Sequence, residues 1–249
     1  MTGFVDVHSH VVPSGDDGVQ SVEDGLALCR AAAERGTTVL FATPHVWPSL
    51  PLDPARVERV RAAYAEMEPR AAEVGLDLEL GWELTPMPAL LGEEMERYRL
   101  GDLPAVLMEV PFHGSLRLAE SLAGHIEAGG LTPVIAHPER AQALADDISA
   151  AERLRGPGRL LQANATSLLG YHGPEIELTA WRLVDEGLVD LVASDGHRSA
   201  RPPFLDDAYE LVRSRVGERA TALFDGRALP GRERLAGRDR VDLAQRRQA

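Results

Sequence analysis

Apolar residues recur along the chain in short runs, and between these runs they return every three or four positions. Short apolar runs are typical of buried strands, whereas the wider spacing is typical of helices that pack on one face. The pattern predicts strands at 4–8, 37–43, 77–83, 105–110, 133–137, 159–164 and 189–194. It predicts helices at 22–35, 54–74, 87–97, 116–128, 139–154, 174–186 and 204–216.

Local signals mark the ends of several predicted helices. Ser21 with Asp24 matches a capping box, and Asp53 before Pro54 is a typical helix start. Glycines stand where helices should stop, at Gly36, Gly75, Gly129 and Gly187. Seven strand-then-helix units predict an α/β fold, as a parallel barrel or a strongly curved sheet. In such folds chemistry gathers at the carboxyl ends of the strands.

The chain of 249 residues is 44% hydrophobic, which is enough for one α/β domain over residues 1–226. From Arg227 the sequence becomes arginine-rich and loses its periodicity, which predicts a C-terminal tail at 227–249. No apolar run reaches the length of about 18 residues that a membrane span needs. The N-terminus lacks the pattern of a secretory signal, and one cysteine cannot form an internal disulfide, so we expect a cytoplasmic location.

The formal net charge is -13, from 39 acidic and 26 basic residues. This acidity makes non-specific binding to nucleic-acid phosphates unsuitable as the main function. All of the basic residues are arginines. The chain therefore has no lysine for a Schiff-base mechanism, and arginine is the only basic side chain that can clamp a phosphate.

Potential metal ligands stand at six of the seven predicted strand ends. His8 and His10 share one face of the first strand, so both imidazoles can hold one ion. Core strands otherwise favour apolar residues, because burying a charge is costly unless it is paired or bound to metal. The recurrence therefore predicts a metal site. The candidate ligands are His8, His10, Asp17, His45, Glu83, Glu109, His137, Asp195 and His197.

This set exceeds what one ion takes, so we expect two or three divalent ions. Its four carboxylates and three divalent ions would leave about +2, which suits a phosphate monoester of roughly -2 charge. Mixed histidine and carboxylate ligands suit manganese, zinc or iron. Spacing alone leaves open whether Asp16 or Asp17 is the ligand in the loop after the first strand.

Short motifs surround these candidates: Asp-Val-His-Ser-His at 6–10, Asp-Asp-Gly at 16–18, Thr-Pro-His at 43–45, Ala-His-Pro-Glu-Arg at 136–140 and Ser-Asp-Gly-His at 194–197. With Glu83 and Glu109, they resemble the polymerase-and-histidinol-phosphatase (PHP) superfamily. The Asp-Asp-Gly loop, His-Pro-Glu-Arg, and Ser-Asp-Gly-His followed by Arg201-Pro202-Pro203 are similar to its bacterial protein-tyrosine phosphatases. The resemblance runs from about Phe4 to Arg219.

The resemblance implies a distorted (β/α)7 barrel of the PHP type. It also implies a metal-dependent hydrolase that removes phosphate from tyrosine on a protein, with manganese as the expected metal and zinc or iron as alternatives. The protein partner would be the tail of a bacterial tyrosine kinase that controls capsule or exopolysaccharide synthesis. No nucleic-acid partner is expected.

The resemblance further assigns roles to residues. A first metal would be held by His8, His10, Glu83 and Asp195. Glu83 would bridge to a second metal, completed by Glu109 and His137. A third would be held by Asp17, His45 and His197. Arg140 and Arg201 would grip the phosphate, with Arg198 as a weaker substitute for Arg201.

Other functions remain open at this stage. One is a small-molecule phosphatase of the same superfamily, such as one acting on histidinol phosphate, and another is a non-catalytic metal-bound module. A phosphodiesterase or nuclease fits the acidic balance poorly. Cys29 and Arg35 have the Cys-x5-Arg spacing of thiol-based tyrosine phosphatases, but the residues between them are helix-forming and lack phosphate-binding glycines, so we expect no role for Cys29.

Overall fold

The computed structural model of the chain describes residues 3–236, in which parallel strands and helices form a distorted α/β barrel. The strands of this part are β1 (Phe4–Ser9), β2 (Thr37–Ala42), β3 (His45–Val46), β4 (Asp77–Leu80), β5 (Glu83–Leu84), β6 (Ala105–Glu109), β7 (Thr132–Ala136), β8 (Leu160–Asn164) and β9 (Leu191–Ala193). Its α-helices are α1 (Val22–Glu34), α2 (Pro54–Ala72), α3 (Arg117–Ala128), α4 (Gln142–Asp146), α5 (Ser149–Arg155), α6 (Ala165–Leu168), α7 (Pro174–Asp185), α8 (Asp206–Val216), α9 (Arg219–Phe224) and α10 (Glu233–Ala236).

Each of two strands, β2 and β4, is followed after two residues by a short strand, β3 or β5. β1, β2 and β4 form one sheet, while β3, β5, β6, β7, β8 and β9 form the other. Pro44 lies between β2 and β3, and it has no N–H to donate to a strand ladder. Gly81 and Trp82 separate β4 from β5, and the N–H of Gly81 donates to the carbonyl of Ala42 at 2.8 Å. The chain therefore passes twice from the first sheet to the second, which joins the two sheets along one side of the barrel.

Backbone hydrogen bonds between β1 and the end of β9 close the other side. The N–H of Asp195 donates to the carbonyl of His8 at 2.9 Å, and the N–H of His10 donates to the carbonyl of Gly196 at 2.7 Å. This seam lies at the carboxyl ends of the strands. It brings the first and last of the predicted ligand motifs together.

The strands bury alternate residues on opposite faces, as the pleat requires. One face packs against the helices and includes Leu40, Val106, Met108, Ile135, Leu161 and Val192. The other face fills the barrel and includes Val5, Val7, Val39, Phe41, Ala105, Leu107, Val134, Ala136, Leu191 and Ala193. The interior is therefore packed with apolar side chains below the strand ends, and polar side chains are left to the upper end.

The predicted caps are confirmed for the first two helices. Ser21 Oγ accepts a hydrogen bond from the N–H of Asp24 at 3.1 Å, and Asp53 Oδ1 accepts one from the N–H of Arg56 at 2.8 Å. Each cap satisfies an N–H that has no partner within its helix. The stop predicted at Gly129 is confirmed, since α3 ends at Ala128 with Gly129 as its C-cap, and the left-handed residue is the next one, Gly130, with φ 76°.

Two helices that were predicted as continuous are wrong, because each is interrupted in the structure. The segment 87–97 forms two short 3-10 helices, Pro88–Gly92 and Met95–Tyr98, because the extended residues after Gly92 interrupt the turn. The segment 139–154 is also broken. Asp147 adopts an extended conformation, and its carboxylate accepts hydrogen bonds from the N–H and hydroxyl of Ser149. Such local side-chain bonds compete with helix hydrogen bonds.

The chain after residue 226 packs against the barrel for as far as it is described. Leu229 and Leu235 are buried in the same apolar cluster as Val5 and Val7. The predicted tail at 227–249 thus begins with ten residues that are folded onto the domain, and residues 237–249 lie outside the described part. The boundary at residue 226 stays a prediction. None of the helices in residues 3–236 combines the length and apolarity that crossing a membrane requires.

Replacing Leu229 by alanine tests whether this segment contributes to the core. We expect Leu229→Ala to lower the free energy of unfolding by about 2–5 kcal/mol, because a buried leucine is lost without repacking. Leu211→Ala is the matched control, since Leu211 is exposed on α8, and it should change stability by less than about 0.5 kcal/mol. Urea denaturation measures both. Equal stability of the two variants would show that residues beyond 226 do not stabilise the domain.

Candidate metal centre

Glu83 lies at the centre of the predicted ligands. It opens β5, is fully buried, and pairs in register with His45 of β3. Its Oε2 lies 3.1 Å from His8 Nε2, 3.2 Å from His10 Nε2 and 2.9 Å from His45 Nδ1. Its Oε1 lies 3.0 Å from His137 Nε2. Imidazoles from three separate parts of the barrel therefore converge on one carboxylate.

Asp195 is a second buried carboxylate beside the same imidazoles. Its Oδ1 lies 3.4 Å from His8 Nε2, 3.6 Å from His10 Nε2 and 3.4 Å from His197 Nδ1. Its Oδ2 accepts a hydrogen bond from Asn164 Nδ2 at 2.8 Å. Asp195 thus links the two histidines of β1 to the loop that follows β9.

The loop after β1 places its two aspartates differently. Asp17 Oδ1 lies 3.3 Å from His197 Nε2 and 3.6 Å from His45 Nε2. The buried carboxylate of Asp16 instead lies 3.2 Å from His10 Nδ1 and accepts from the N–H of His45 at 3.1 Å. Asp16 therefore orients ligands, and the placement favours Asp17 as the ligand in the pair that the sequence left open.

Three groups of these side chains have ligand atoms within 4.8 Å of one another. Among the residues described, the groups are His10 with Asp17, His45 and His197; His8 with Glu83 and His137; and His8 with His10 and Asp195. His8 and His10 each belong to two groups. The residues shared between groups are thus His8 and His10, whereas the resemblance expected Glu83 to be the shared ligand, and Glu83 belongs to one group.

Glu109 is the one predicted ligand that these groups leave out. Its carboxylate accepts a hydrogen bond from the Thr85 hydroxyl. Burial and then the charge of Glu83 raise the pKa of Glu109, with His137 acting in the opposite direction. Glu109 therefore stands close to the group of His8, Glu83 and His137 without joining it.

The arrangement of the donor atoms suits coordination of a metal ion better than hydrogen bonding among the donors themselves. His8 Nε2 and His10 Nε2 are 3.3 Å apart, close to the roughly 3.3 Å edge that tetrahedral Zn–N bonds of about 2.0 Å produce. Glu83 Oε2 forms no hydrogen bond of acceptable geometry within residues 3–236, although three imidazole nitrogens lie within 3.2 Å. Buried polar atoms left in this way are the exception in folded proteins.

The charges of the cluster support the same assignment. Burial opposes ionisation of Glu83, but positive charge on His45 and His8 outweighs it and holds the pKa of Glu83 well below its usual range. The pKa of Asp195 is lowered in the same way, because positive charge on His8 and His137 outweighs the effect of burial. Both carboxylates are therefore anionic at neutral pH and require nearby positive charge.

Backbone geometry helps to aim two ligands. His137 and Asp195 are the non-glycine residues of the described chain with positive φ, 35° and 52°. Both follow the last residues of parallel strands. Histidine and aspartate tolerate this left-handed region better than most residues, and such conformations concentrate at functional sites. The turn at each strand end directs the side chain back over the top of the barrel.

A chain of amide side chains lies beneath the predicted ligands, and it includes Gln162, to which the sequence assigned no role. Gln162 Oε1 lies 3.0 Å from His8 Nδ1, Gln162 Nε2 donates to Asn164 Oδ1 at 2.9 Å, and Asn164 donates to Asp195. The chain fixes the orientation of one imidazole and one carboxylate. The alternation of β8 could have indicated this role: Leu161 faces the helices, so Gln162 must face the opposite side of the strand, towards the barrel.

Arg56 was also missed, because it lies in a helix far from the motifs. It is almost completely buried, and it donates to the backbone carbonyls of Ser14, His45 and Leu50 at 3.1, 2.7 and 2.8 Å. It therefore ties the loop before Asp16 to the ligand strand β3. Nothing in the sequence pattern of α2 distinguishes it from its exposed neighbours.

The predicted phosphate-binding arginines border the cluster. Arg140 Nη1 lies 3.4 Å from Asp195 Oδ2, and Arg201 contacts His197 Nδ1 and lies 3.6 Å from Asp195 Oδ1. Arg198 instead donates to the backbone carbonyls of Asp17 and Gly18. Arg140 and Arg201 therefore face the site, whereas Arg198 holds a loop.

The segment carrying Arg201 is held by a close backbone contact. A Cβ added to Gly196 would lie 2.7 Å from the backbone of Pro203, so only glycine fits between the strand end and this segment. Cys29, by contrast, is fully buried in α1, and burial raises the pKa of its thiol to about 12. It is therefore unsuited to act as a nucleophile.

The family model "Capsular polysaccharide synthesis, CpsB/CapC" matches residues 4–225. The chain belongs to the CpsB/CapC family. It is 31% identical to tyrosine-protein phosphatase YwqE of Bacillus subtilis over 211 residues, covering 78% of this chain and 77% of that protein. It is 30% identical to tyrosine-protein phosphatase CpsB of Streptococcus pneumoniae over 234 residues, covering 89% and 95%.

Solved structures agree with the family assignment. The chain superposes with a TM-score of 0.77 on crystal structures of YwqE from Bacillus subtilis and CpsB from Streptococcus pneumoniae, described as unique metal-dependent tyrosine phosphatases. The match has 29% identity and covers 87% of this chain and 89% of that one. A phosphotriesterase homology protein from Escherichia coli gives a TM-score of 0.55 at 12% identity, which shows the likeness of fold alone. The predicted distorted barrel and the predicted relationship are confirmed.

Replacing Gln162 tests the amide chain. We expect Gln162→Leu to weaken metal binding by about 10–100-fold, because His8 loses its orienting partner while the fold is retained. Metal titration calorimetry measures the affinity, and Gln142→Leu, at an exposed position, is the control that should match the unmodified protein. Unchanged affinity in Gln162→Leu would mean that the chain does not support the ligands.

Proposed function

We propose that this chain is a metal-dependent protein-tyrosine phosphatase, a hydrolase of phosphate monoesters. The observation that carries the proposal is the set of three overlapping ligand groups with Arg140 and Arg201 at their border. The curated relatives at about 30% identity are named tyrosine-protein phosphatases, and the solved relatives are described as metal-dependent.

We assign the metal ligands as His8, His10, Asp17, His45, Glu83, Glu109, His137, Asp195 and His197. They would hold two or three divalent ions, with manganese as the proposed metal and zinc or iron as alternatives that the same donors accept. When bound, such ions polarise phosphoryl oxygens and lower the pKa of water toward about 7. The carboxylates are anionic at neutral pH, and the imidazoles would supply neutral nitrogen donors once bound ions replace their protons.

The arginines bind and orient the substrate in this proposal. Arg140 and Arg201 would donate to the equatorial oxygens of the phosphoryl group and neutralise charge that develops there. Arg140 reaches the site from the turn after β7, and Arg201 from the loop after β9, so the two approach from different strands. A tyrosine leaving group has a pKa of about 10, so its departure needs little help from a general acid.

The physiological substrate is proposed to be a phosphotyrosine protein, with the tail of a bacterial tyrosine kinase as the partner. The family description in terms of capsular polysaccharide synthesis supports that setting. A cytoplasmic location stays a prediction from the sequence. A partner of this kind presents phosphotyrosine on an exposed segment, which can enter a site at the mouth of a barrel.

Metal removal tests the proposed chemistry. We expect EDTA to abolish hydrolysis of p-nitrophenyl phosphate and of a phosphotyrosyl peptide, and manganese to restore both, because the bound ions would lower the pKa of the attacking water. Cys29→Ala should keep full activity and serves as the control for a thiol mechanism. Full activity after thorough chelation, with metal content measured on the same sample, would contradict the metal mechanism. Faster hydrolysis of histidinol phosphate than of the peptide would point to a small-molecule phosphatase.

Replacing Arg140 tests the phosphate clamp. We expect Arg140→Ala to lower kcat/KM by about 100–1000-fold, as the loss of one preorganised donor does at other charged transition states. Arg213→Ala is the matched control, because Arg213 pairs with Glu210 on the exposed face of α8. Steady-state kinetics with metal content checked for each variant decide the matter. Unchanged kinetics would remove Arg140 from the site.

A further inference from the structure

A cavity of about 270 Å³ lies directly beside the metal centre. It is bounded by residues that follow β5, by the end of β6 and the segment after it, and by the first turn of α3. Most of its wall is apolar, but Glu109, a proposed ligand, forms part of it, so the cavity adjoins the site. The wall includes Pro86, Glu109, Val110, Pro111, Phe112 and Leu118.

Phe112 connects this cavity to the phosphate clamp. The guanidinium carbon of Arg140 lies 4.3 Å from the centre of the Phe112 ring, and the ring meets His137 edge-on at 5.8 Å. Arg140 is also 3.4 Å from Asp195. A group held by Arg140 and by ions at His137 would therefore stand beside Phe112, at the rim of the cavity.

Phe112 is 36% exposed, although it is a large apolar residue at a functional site. A cavity of this volume is just below the roughly 300 Å³ that begins the usual range for small-molecule pockets. It therefore has room for an aromatic ring. Prolines and a phenylalanine offer flat apolar surfaces, against which rings pack well.

We propose that this cavity is the subsite for the phenyl ring of the phosphotyrosine substrate, with Phe112 as its principal wall. The inference rests on the proposed phosphatase function. It adds that Phe112 and the cavity favour phosphotyrosine over other phosphate monoesters. A phosphotyrosyl side chain would fill the cavity while its phosphate reaches Arg140. Seryl and threonyl phosphates have no ring to occupy it, so they gain only the phosphate contacts.

Binding of two phosphonates separates the contribution of the ring to affinity from that of the anionic group. Phenylphosphonate and methylphosphonate present similar anionic groups, but only the first carries a ring. Calorimetric titration of the manganese-loaded full chain gives both affinities without hydrolysis. We expect phenylphosphonate to bind roughly tenfold or more tightly than methylphosphonate, because a ring is removed from water. In Phe112→Ala this ratio should fall to near 1, and because the loss of the Arg140 contact acts on both phosphonates alike, the ratio reports the ring alone.

Tyr171→Ala is the matched control, since Tyr171 is a 71% exposed aromatic residue on a different loop, after α6, outside the cavity wall. Its affinity ratio should equal that of the unmodified protein. Leu118→Phe narrows the cavity and should also reduce the ratio. An unchanged ratio in both Phe112→Ala and Leu118→Phe, or a ratio that collapses only in Tyr171→Ala, would overturn the proposal.

Measuring hydrolysis with the same preparation distinguishes a failure of the ring subsite from a failure of the proposed phosphatase function. If phosphotyrosyl peptide is hydrolysed but the phosphonate ratio is near 1 in the unmodified chain, the ring subsite is wrong and the phosphatase function stands. If the manganese-loaded chain hydrolyses no phosphate monoester, the proposed function is wrong. In that case the subsite for a substrate ring is overturned with it.

Discussion

The upper end of the barrel depends on the burial of Glu83. A fully buried carboxylate is costly unless positive charge and hydrogen-bond donors surround it, and the cost of an isolated buried ion reaches several kcal/mol even after relaxation. The imidazoles that meet this requirement come from β1, from β3 and from the turn after β7. The ends of β1, β3, β5 and β7 therefore have to lie close enough together for these imidazoles to reach Glu83.

The same constraint explains why the closure of the barrel and the site coincide. Within the second sheet β3 pairs with β5, and this register sets His45 opposite Glu83. The seam that closes the barrel joins β1 to the end of β9, and its backbone bonds run between His8, His10, Asp195 and Gly196. Closing the barrel and assembling the ligands are thus one structural event. Because metal would bind only to the assembled form, its binding free energy would add to the stability of the closed barrel.

Much of this arrangement follows from the sequence, and the limits have physical causes. Alternation and glycine stops predict the strands, and the gathering of parallel strand ends predicts that ligands almost two hundred residues apart meet. The short strands β3 and β5, which follow Pro44 and Trp82, were not predicted as separate elements, because two residues are too few to show a period. The break at Asp147 was missed for a similar reason: a side-chain bond to Ser149, and not hydrophobic spacing, ends that helix.

The supporting residues are harder to read from sequence than the ligands. Gln162 and Arg56 act through side-chain bonds whose partners are distant in the chain, at His8 and at the carbonyls of Ser14 and His45. Their residue types are common on protein surfaces, so only the burial seen in the structure distinguishes them. Histidines and carboxylates at strand ends are conspicuous because their chemistry is unusual there. Residues that orient them are conspicuous only through their contacts.

The charge balance bears on how such a site would choose its substrate. The chain carries a net charge of -13, so its overall field repels phosphate, and attraction has to come from arginines and cations concentrated at the strand ends. Those groups recognise the phosphoryl group, which every phosphate monoester presents in the same form. Selectivity is a difference between affinities, so it has to arise from surfaces that contact the rest of the substrate. Of the surfaces next to Arg140, the wall formed by Phe112 is apolar and within van der Waals reach of the clamp. If the proposed ring subsite is correct, discrimination among monoesters would depend on shape and apolar contact at this wall, while charge would supply the affinity common to all of them.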